Sequence, residues 1–373
     1  MSIRMNRLPT ADGRHLGHLV LDREAQLNAL NLEMIEAMLL SLREWQHDND
    51  VVAVVLEGAG DKAFCAGGDV VGLHRAMVTA RAGCADRELG PVPAPAARFF
   101  EREYRLDYLL HTYGKPVICV GAGIVMGGGM GLFAGAGQRI VTERSRLAMP
   151  EVTIALYPDV GGSWFLNRLP PGLGEFIALT GCSLNAADSL WLGLANRFVA
   201  EEHVAELLPR LQEESDWPVA VGRVLRELEA ESAARLAGLD SPLRRHQDLI
   251  GKLMDKDSLA EQVGAILEVD MHDAWFSQAQ ATLAAGSPLA MAVIHRQLAA
   301  SRYLSLAQVF QAELALSVQL CRCREFAEGV RARLIDKDNA AHWTFAGLNE
   351  VDPALLNTLF SSPWGLSPLA DLK

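Results

Sequence analysis

An α/β core followed by a helical extension is the fold class this chain predicts, and three observations predict it. Stretches of strand-like and helix-like pattern alternate through residues 1–200. The run VVAVVLEG (51–58) is continuously apolar, as in a strand buried on both faces. From 201 onward the periodicity is almost wholly helical, as in LAMAVIHRQLAASR and LSLAQVFQAELALSVQLC.

The elements follow in order. HLGHLVLDR (15–23) reads as a strand. The segment 31–48 places apolar residues at 32, 35, 38, 39, 42 and 45, one face of a helix capped by Asn31. After the strand 51–58 comes a glycine-rich loop, AGDKAFCAGGDV (59–70). A variable stretch with the proline-rich GPVPAPA (90–96) reads as a surface excursion. Then come a helix over 98–114, a strand in KPVICVG (115–121), a helix over 128–135 and a strand over 138–143. Residues 146–169 give a short strand, a loop and a helix start, and ANRFVA (195–200) is the last core strand. The expected division is a core over 1–200 and a helical region over 201–373, packing on the core or on neighbouring subunits.

The 373 residues suffice for one large domain or two ordinary ones, and half are hydrophobic, so a packed core is expected. A net charge of −12 without any basic stripe excludes a nucleic-acid binder. The N-terminal residues show no apolar leader and no segment has the length of a membrane span, which together suggest a cytoplasmic protein. Of six cysteines only Cys321 and Cys323 lie close together. Without a second pair or a nearby histidine they make no zinc site, so reduced thiols and no metal are expected.

MGGGMGLFAG (126–135) carries the chemistry question. A strand, a glycine-rich turn and a helix could bind a dinucleotide, with Glu143 as the distal acid. Gly121, Gly123 and Gly127, however, are spaced one residue longer than that fingerprint. The glycines could also serve close packing alone. The third reading is an oxyanion hole, because N–H groups at a helix start lack intrahelical partners. The loop after 51–58 would supply a second donor.

DREAQLNALNLEMI, KAFCAGGDV, GKPVICVGAGIVMGGGMGL and LAMPEVTIALYPDVGG resemble the crotonase (enoyl-CoA hydratase/isomerase) superfamily. The resemblance implies a crotonase (ClpP-like) spiral of β-β-α units that binds acyl-CoA thioesters. It implies oxyanion-hole amides at Gly68 and Gly128. Hydratases of the superfamily use two glutamates. Here the first position is Gly131 and the second is Glu151, while Asp159 stands where hydratases tend to carry glycine. That exchange, with REFAEGVRARLIDKD (324–338), resembles the 3-hydroxyisobutyryl-CoA hydrolase branch, which acts in valine breakdown.

The resemblance implies that Glu151 acts on the thioester carbonyl as nucleophile or base. It implies that Asp159 orients the water or the substrate hydroxyl, and that Glu103 contacts that hydroxyl. Coenzyme A would be part of the substrate, with no separate cofactor. Trimers or pairs of trimers through the helical tail are common in the superfamily. Each residue also has a plainer reading. Asp159 could cap the helix after it, Glu151 could lie on a surface loop, and Glu103 could sit on a solvated helix face. Gly68 could be required only for a left-handed backbone, and Cys65 could be a small core residue rather than a nucleophile. A hydratase or isomerase, or an acyl-CoA-binding protein without turnover, are the alternative functions.

Overall fold

The continuously apolar segments lie in the middle of a sheet. A computed structural model of the chain describes residues 2–217 and 219–373. Its strands are β1 (Ile3–Pro9), β2 (His15–Leu21), β3 (Val51–Gly58), β4 (Ala63–Cys65), β5 (Val117–Gly121), β6 (Ile124–Met126), β7 (Gln138–Val141), β8 (Arg146–Ala148) and β9 (Arg197–Phe198). Six of them form one sheet in the order β1-β2-β3-β5-β7-β9, and β4-β6-β8 form a second. β1, absent from the sequence reading, is the antiparallel edge on β2, and the pairs inward from it are parallel. Its burial is mixed, which explains why no apolar run announced it.

Contacts divide the chain into two compact units. The first comprises 1–68, 106–147 and 183–245, and the second 69–105, 148–182 and 246–373. The boundary expected at 200 therefore falls inside the first unit. That unit holds the large sheet, whose Val55, Ile118, Val120 and Ile140 pack with Leu211, Val224, Leu225 and Leu228. Its helix Leu32–His47 matches expectation, with the Asn31 side chain accepting from the Met34 amide at 2.9 Å.

The second unit is mainly helical. It begins with Val70–Ala80, a helix missed within the variable stretch. The excursion expected at 90–96 is partly helix, because the helix assigned to 98–114 runs over Ala94–His111. Pro95 lies in its first turn, where the missing N–H costs nothing. Among the described residues no helix is long and apolar enough to cross a membrane.

Candidate active site

In the first unit the main-sheet strand β5 does not run straight into the glycine-rich helix. β6, a strand of the second sheet, stands between β5 and the helix Gly128–Gly135. A dinucleotide turn, in which the strand of the main sheet delivers the helix start, is therefore not formed. β4 pairs in parallel with β6, which brings the loop after β4 beside the start of that helix. A side chain at Gly129 would meet Cys65, 2.8 Å from its Cβ and closer still to its carbonyl oxygen. Glycine at 129 is what allows the approach.

Left-handed backbone occurs at Gly67, with φ 114°, and not at Gly68, so conformational need does not account for Gly68. Gly128 is the first residue of its helix, so its N–H has no intrahelical acceptor. The Cys65 thiol is buried and points to the Gly67 carbonyl at 3.6 Å, the behaviour of a core residue. Gly131 lies buried within the helix and offers no carboxylate.

The second unit carries the acids. Glu103, Glu151 and Asp159 are 2, 5 and 4 % exposed, which removes the solvated-face and surface-loop readings. Glu103 comes from the helix Ala94–His111 and Glu151 opens a 3-10 turn, Glu151–Ile154. Gly329 of the helix Arg324–Val330 backs that turn. A Cβ there would stand 2.5 Å from the Ile154 Cα, which explains the glycine of REFAEGV. Glu103 Oε1 and Glu151 Oε2 are buried and find no hydrogen-bond partner among the described residues. Orphaned buried carboxyl oxygens suit a site that receives a polar substrate group.

Asp159 is not the cap of the helix Gly162–Leu166. The amides of Gly161 and Ser163 donate instead to Glu313, at 2.8 and 3.0 Å, from the helix Leu306–Leu320. Asp159 itself accepts a 2.5 Å hydrogen bond from the Tyr104 hydroxyl. Tyr104 also lies 2.7 Å from Ser317 Oγ, and Ser317 lies 2.9 Å from the Tyr157 hydroxyl.

Burial dominates the electrostatics of the cluster. It pushes Glu103 well above the usual carboxylate range, and the neighbouring Asp159 adds to the rise. Glu151 rises for the same reason, with Asp159 and then Glu103 adding to it. Asp159 is pushed up to about 6 by burial, while the Tyr104 hydrogen bond holds it down. Glu313 is pushed up to about 8, against the pull of its two backbone donors. The second unit thus groups carboxyls whose burial raises their hold on the proton, a perturbation that accompanies acid–base chemistry.

The sequence reading missed Tyr104, Tyr157, Glu313 and Ser317. Only Glu313 and Ser317 carried a signal. They share an apolar helical stripe with Phe310 and Leu314, an unusual place for an acid.

The enoyl-CoA hydratase/isomerase family model matches residues 16–360. A protein of Danio rerio named mitochondrial 3-hydroxyisobutyryl-CoA hydrolase is 37% identical, covering 93% of this chain and 87% of its own. The Homo sapiens protein of that name is 36% identical, over 93 and 86%. Among solved structures, a carnitinyl-CoA dehydratase from Mycobacterium thermoresistibile superposes with a TM-score of 0.84, at 30% identity and over 98% of both chains. The curated relatives are named as mitochondrial proteins, which overturns the expectation of a cytoplasmic setting.

Proposed function

The chain belongs to the enoyl-CoA hydratase/isomerase family, and from that premise we propose that it hydrolyses an acyl-CoA thioester, with 3-hydroxyisobutyryl-CoA as substrate. One observation carries the reading: the first unit offers backbone donors and a glycine at 131, while every buried acid of the cluster lies among the residues of the second unit. Water addition across a double bond uses a pair of glutamates, one of them at position 131 in the hydratases, and this chain lacks that one. The names of relatives matched along most of the chain support the substrate.

In the proposed reaction the Gly68 and Gly128 amides receive the thioester oxygen. One such donor lowers the barrier by about 3–4 kcal/mol. Glu151, ionised, either attacks the carbonyl carbon to give a mixed anhydride or takes a proton from the attacking water. The C–S bond breaks, the water oxygen ends on the acyl carbon, and the proton reaches the departing thiolate. Asp159, also ionised, orients the water or the substrate hydroxyl, and Glu103 holds that hydroxyl. Coenzyme A enters as part of the substrate, and no further cofactor is called for.

The dehydratase likeness favours a second reading, elimination or addition of water on an acyl-CoA. Free-thiol release from 3-hydroxyisobutyryl-CoA, run beside hydration of crotonyl-CoA on one preparation, separates the two. Rapid thiol release with negligible hydration is expected. Hydration without thiol release would overturn the hydrolase reading.

A further inference from the structure

Asp159 sits in a tight turn, closed by the Gly162 amide donating to the Asp159 carbonyl oxygen at 2.6 Å. Val160, the residue after it, has φ 53°, a left-handed conformation that a β-branched side chain resists. The turn is also held from outside, by the Glu313 carboxyl on the Gly161 and Ser163 amides. The Asp159 carboxyl is fixed separately, by the Tyr104 hydroxyl. Glu313 and Ser317 stand one turn apart on the helix Leu306–Leu320, so one helix face supports both fixings.

Counting protons gives the hydroxyl chain a direction. Each hydroxyl has one proton to donate. The Tyr104 proton goes to Asp159 and the Ser317 proton to Tyr104. The Tyr157 proton is divided between Ser317 Oγ and the Glu313 carbonyl, both at 2.9 Å. Ser317 thereby leaves Tyr104 free to act as a donor. The Tyr104 ring is itself held, with centroids 5.7 Å from Phe100 and 6.0 Å from Phe310.

We propose that Tyr104, with Ser317 behind it, is the positioning residue for Asp159, aiming its carboxylate and keeping it in the charged form that the reaction uses. The inference rests on the role given to Asp159 above. A hydrogen bond to a charged acceptor is about twice as strong as one to a neutral acceptor, so its loss penalises ionised Asp159 more than protonated Asp159. The other titratable groups acting with Asp159 are Glu103 on the Tyr104 helix, Glu151 and Tyr157 on its own segment, and Glu313 and Cys321 on and after the helix Leu306–Leu320. All are acidic or neutral, and each resists a further negative charge. Tyr104 is the side chain that favours the charge, with a backbone N–H adding a smaller contribution.

The test is the pH profile of kcat/KM for thiol release in Tyr104→Phe, which keeps the ring and removes the hydroxyl. A rise of one unit in the governing ionisation gives a loss of about tenfold at pH 5.5, falling to within about twofold at pH 8. In an Asp159→Asn background the same change should leave the profile where Asp159→Asn alone puts it. A loss of equal size at every pH, or an undiminished shift in that background, would overturn the proposal. Should Tyr104→Phe not fold, Ser317→Ala is read the same way, with a smaller shift in the same direction expected and no shift counting against it. An unmodified enzyme without thiol release would instead remove the functional reading itself.

Discussion

The two units build chemistry by opposite means. The first presents backbone amides, fixed by strand pairing between β4 and β6 and by a helix start, with no titratable group needed. The second presents side-chain acids from a helix near residue 100, a turn near 150 and a helix near 313. A backbone donor keeps its partial charge at any pH and is lost only if the chain moves. A buried carboxyl keeps its position but changes charge with its surroundings. Substitutions should therefore divide cleanly, by geometry in one unit and by ionisation in the other.

The largest expected effect tests the second unit. Glu151→Gln keeps shape and removes charge, and should lower kcat for thiol release by about a thousandfold while coenzyme A binding stays within about tenfold. Equal losses of rate and binding would make Glu151 structural and dissolve the contrast. Gly129→Ala tests the first unit without touching any acid. Its methyl would press on the Cys65 backbone, so a loss of about 1–3 kcal/mol in stability is expected, with reduced kcat and an unaltered pH profile. A shifted profile would mean that the backbone donors and the acids are not separable. As a reference, Gly264→Ala meets nothing within 4 Å and should raise stability slightly.

This division also decides what the sequence could tell. The Gly68 and Gly128 positions were named from short contiguous motifs, whereas the close packing of Gly129 on Cys65 depends on the pairing of β4 with β6 and was not foreseen. The strand Val51–Gly58 and the helix Leu32–His47 were legible because their apolar patterns are local. Glu103 was reached only through the family resemblance, because FEREYR has the composition of a solvated helix and its burial is set by elements far along the chain. Tyr104 and Ser317 are 213 positions apart, and no window spans them. β1 escaped because a sheet edge needs no apolar run, and the helix Val70–Ala80 because variable composition concealed a regular backbone.

A smaller effect sharpens the contrast within the acids. Asp159 raises the affinity of Glu151 for its proton, so removing that charge in Asp159→Asn should move the acid limb of kcat/KM to lower pH. Turnover should fall, but by less than in Glu151→Gln. The limb belongs to the coupled group rather than to one residue, so the profile is fitted as a set of ionisations. An unmoved limb would mean that the two carboxyls do not sense each other.

The last effect concerns stability alone, and it falls on Glu313, which touches the helix start and not the proposed reaction centre. Its carboxyl is pushed from an ordinary 4.5 up to about 8 in the folded chain. Between those values the folded state retains a proton that the unfolded state has released, so stability falls as pH rises from about 4.5 to about 8. Glu313→Gln removes that titration. It also turns an amide NH2 toward one of the two backbone donors, leaving one N–H unpaired at a cost of about 1–3 kcal/mol. The unmodified protein should therefore exceed the variant most at pH 5, and the difference should shrink steadily toward pH 8. Urea unfolding at several pH values reads this directly. A difference that stays constant would mean that Glu313 remains charged throughout, held by the Gly161 and Ser163 amides, and the second unit would then contain one acid governed by backbone geometry as the first unit's donors are.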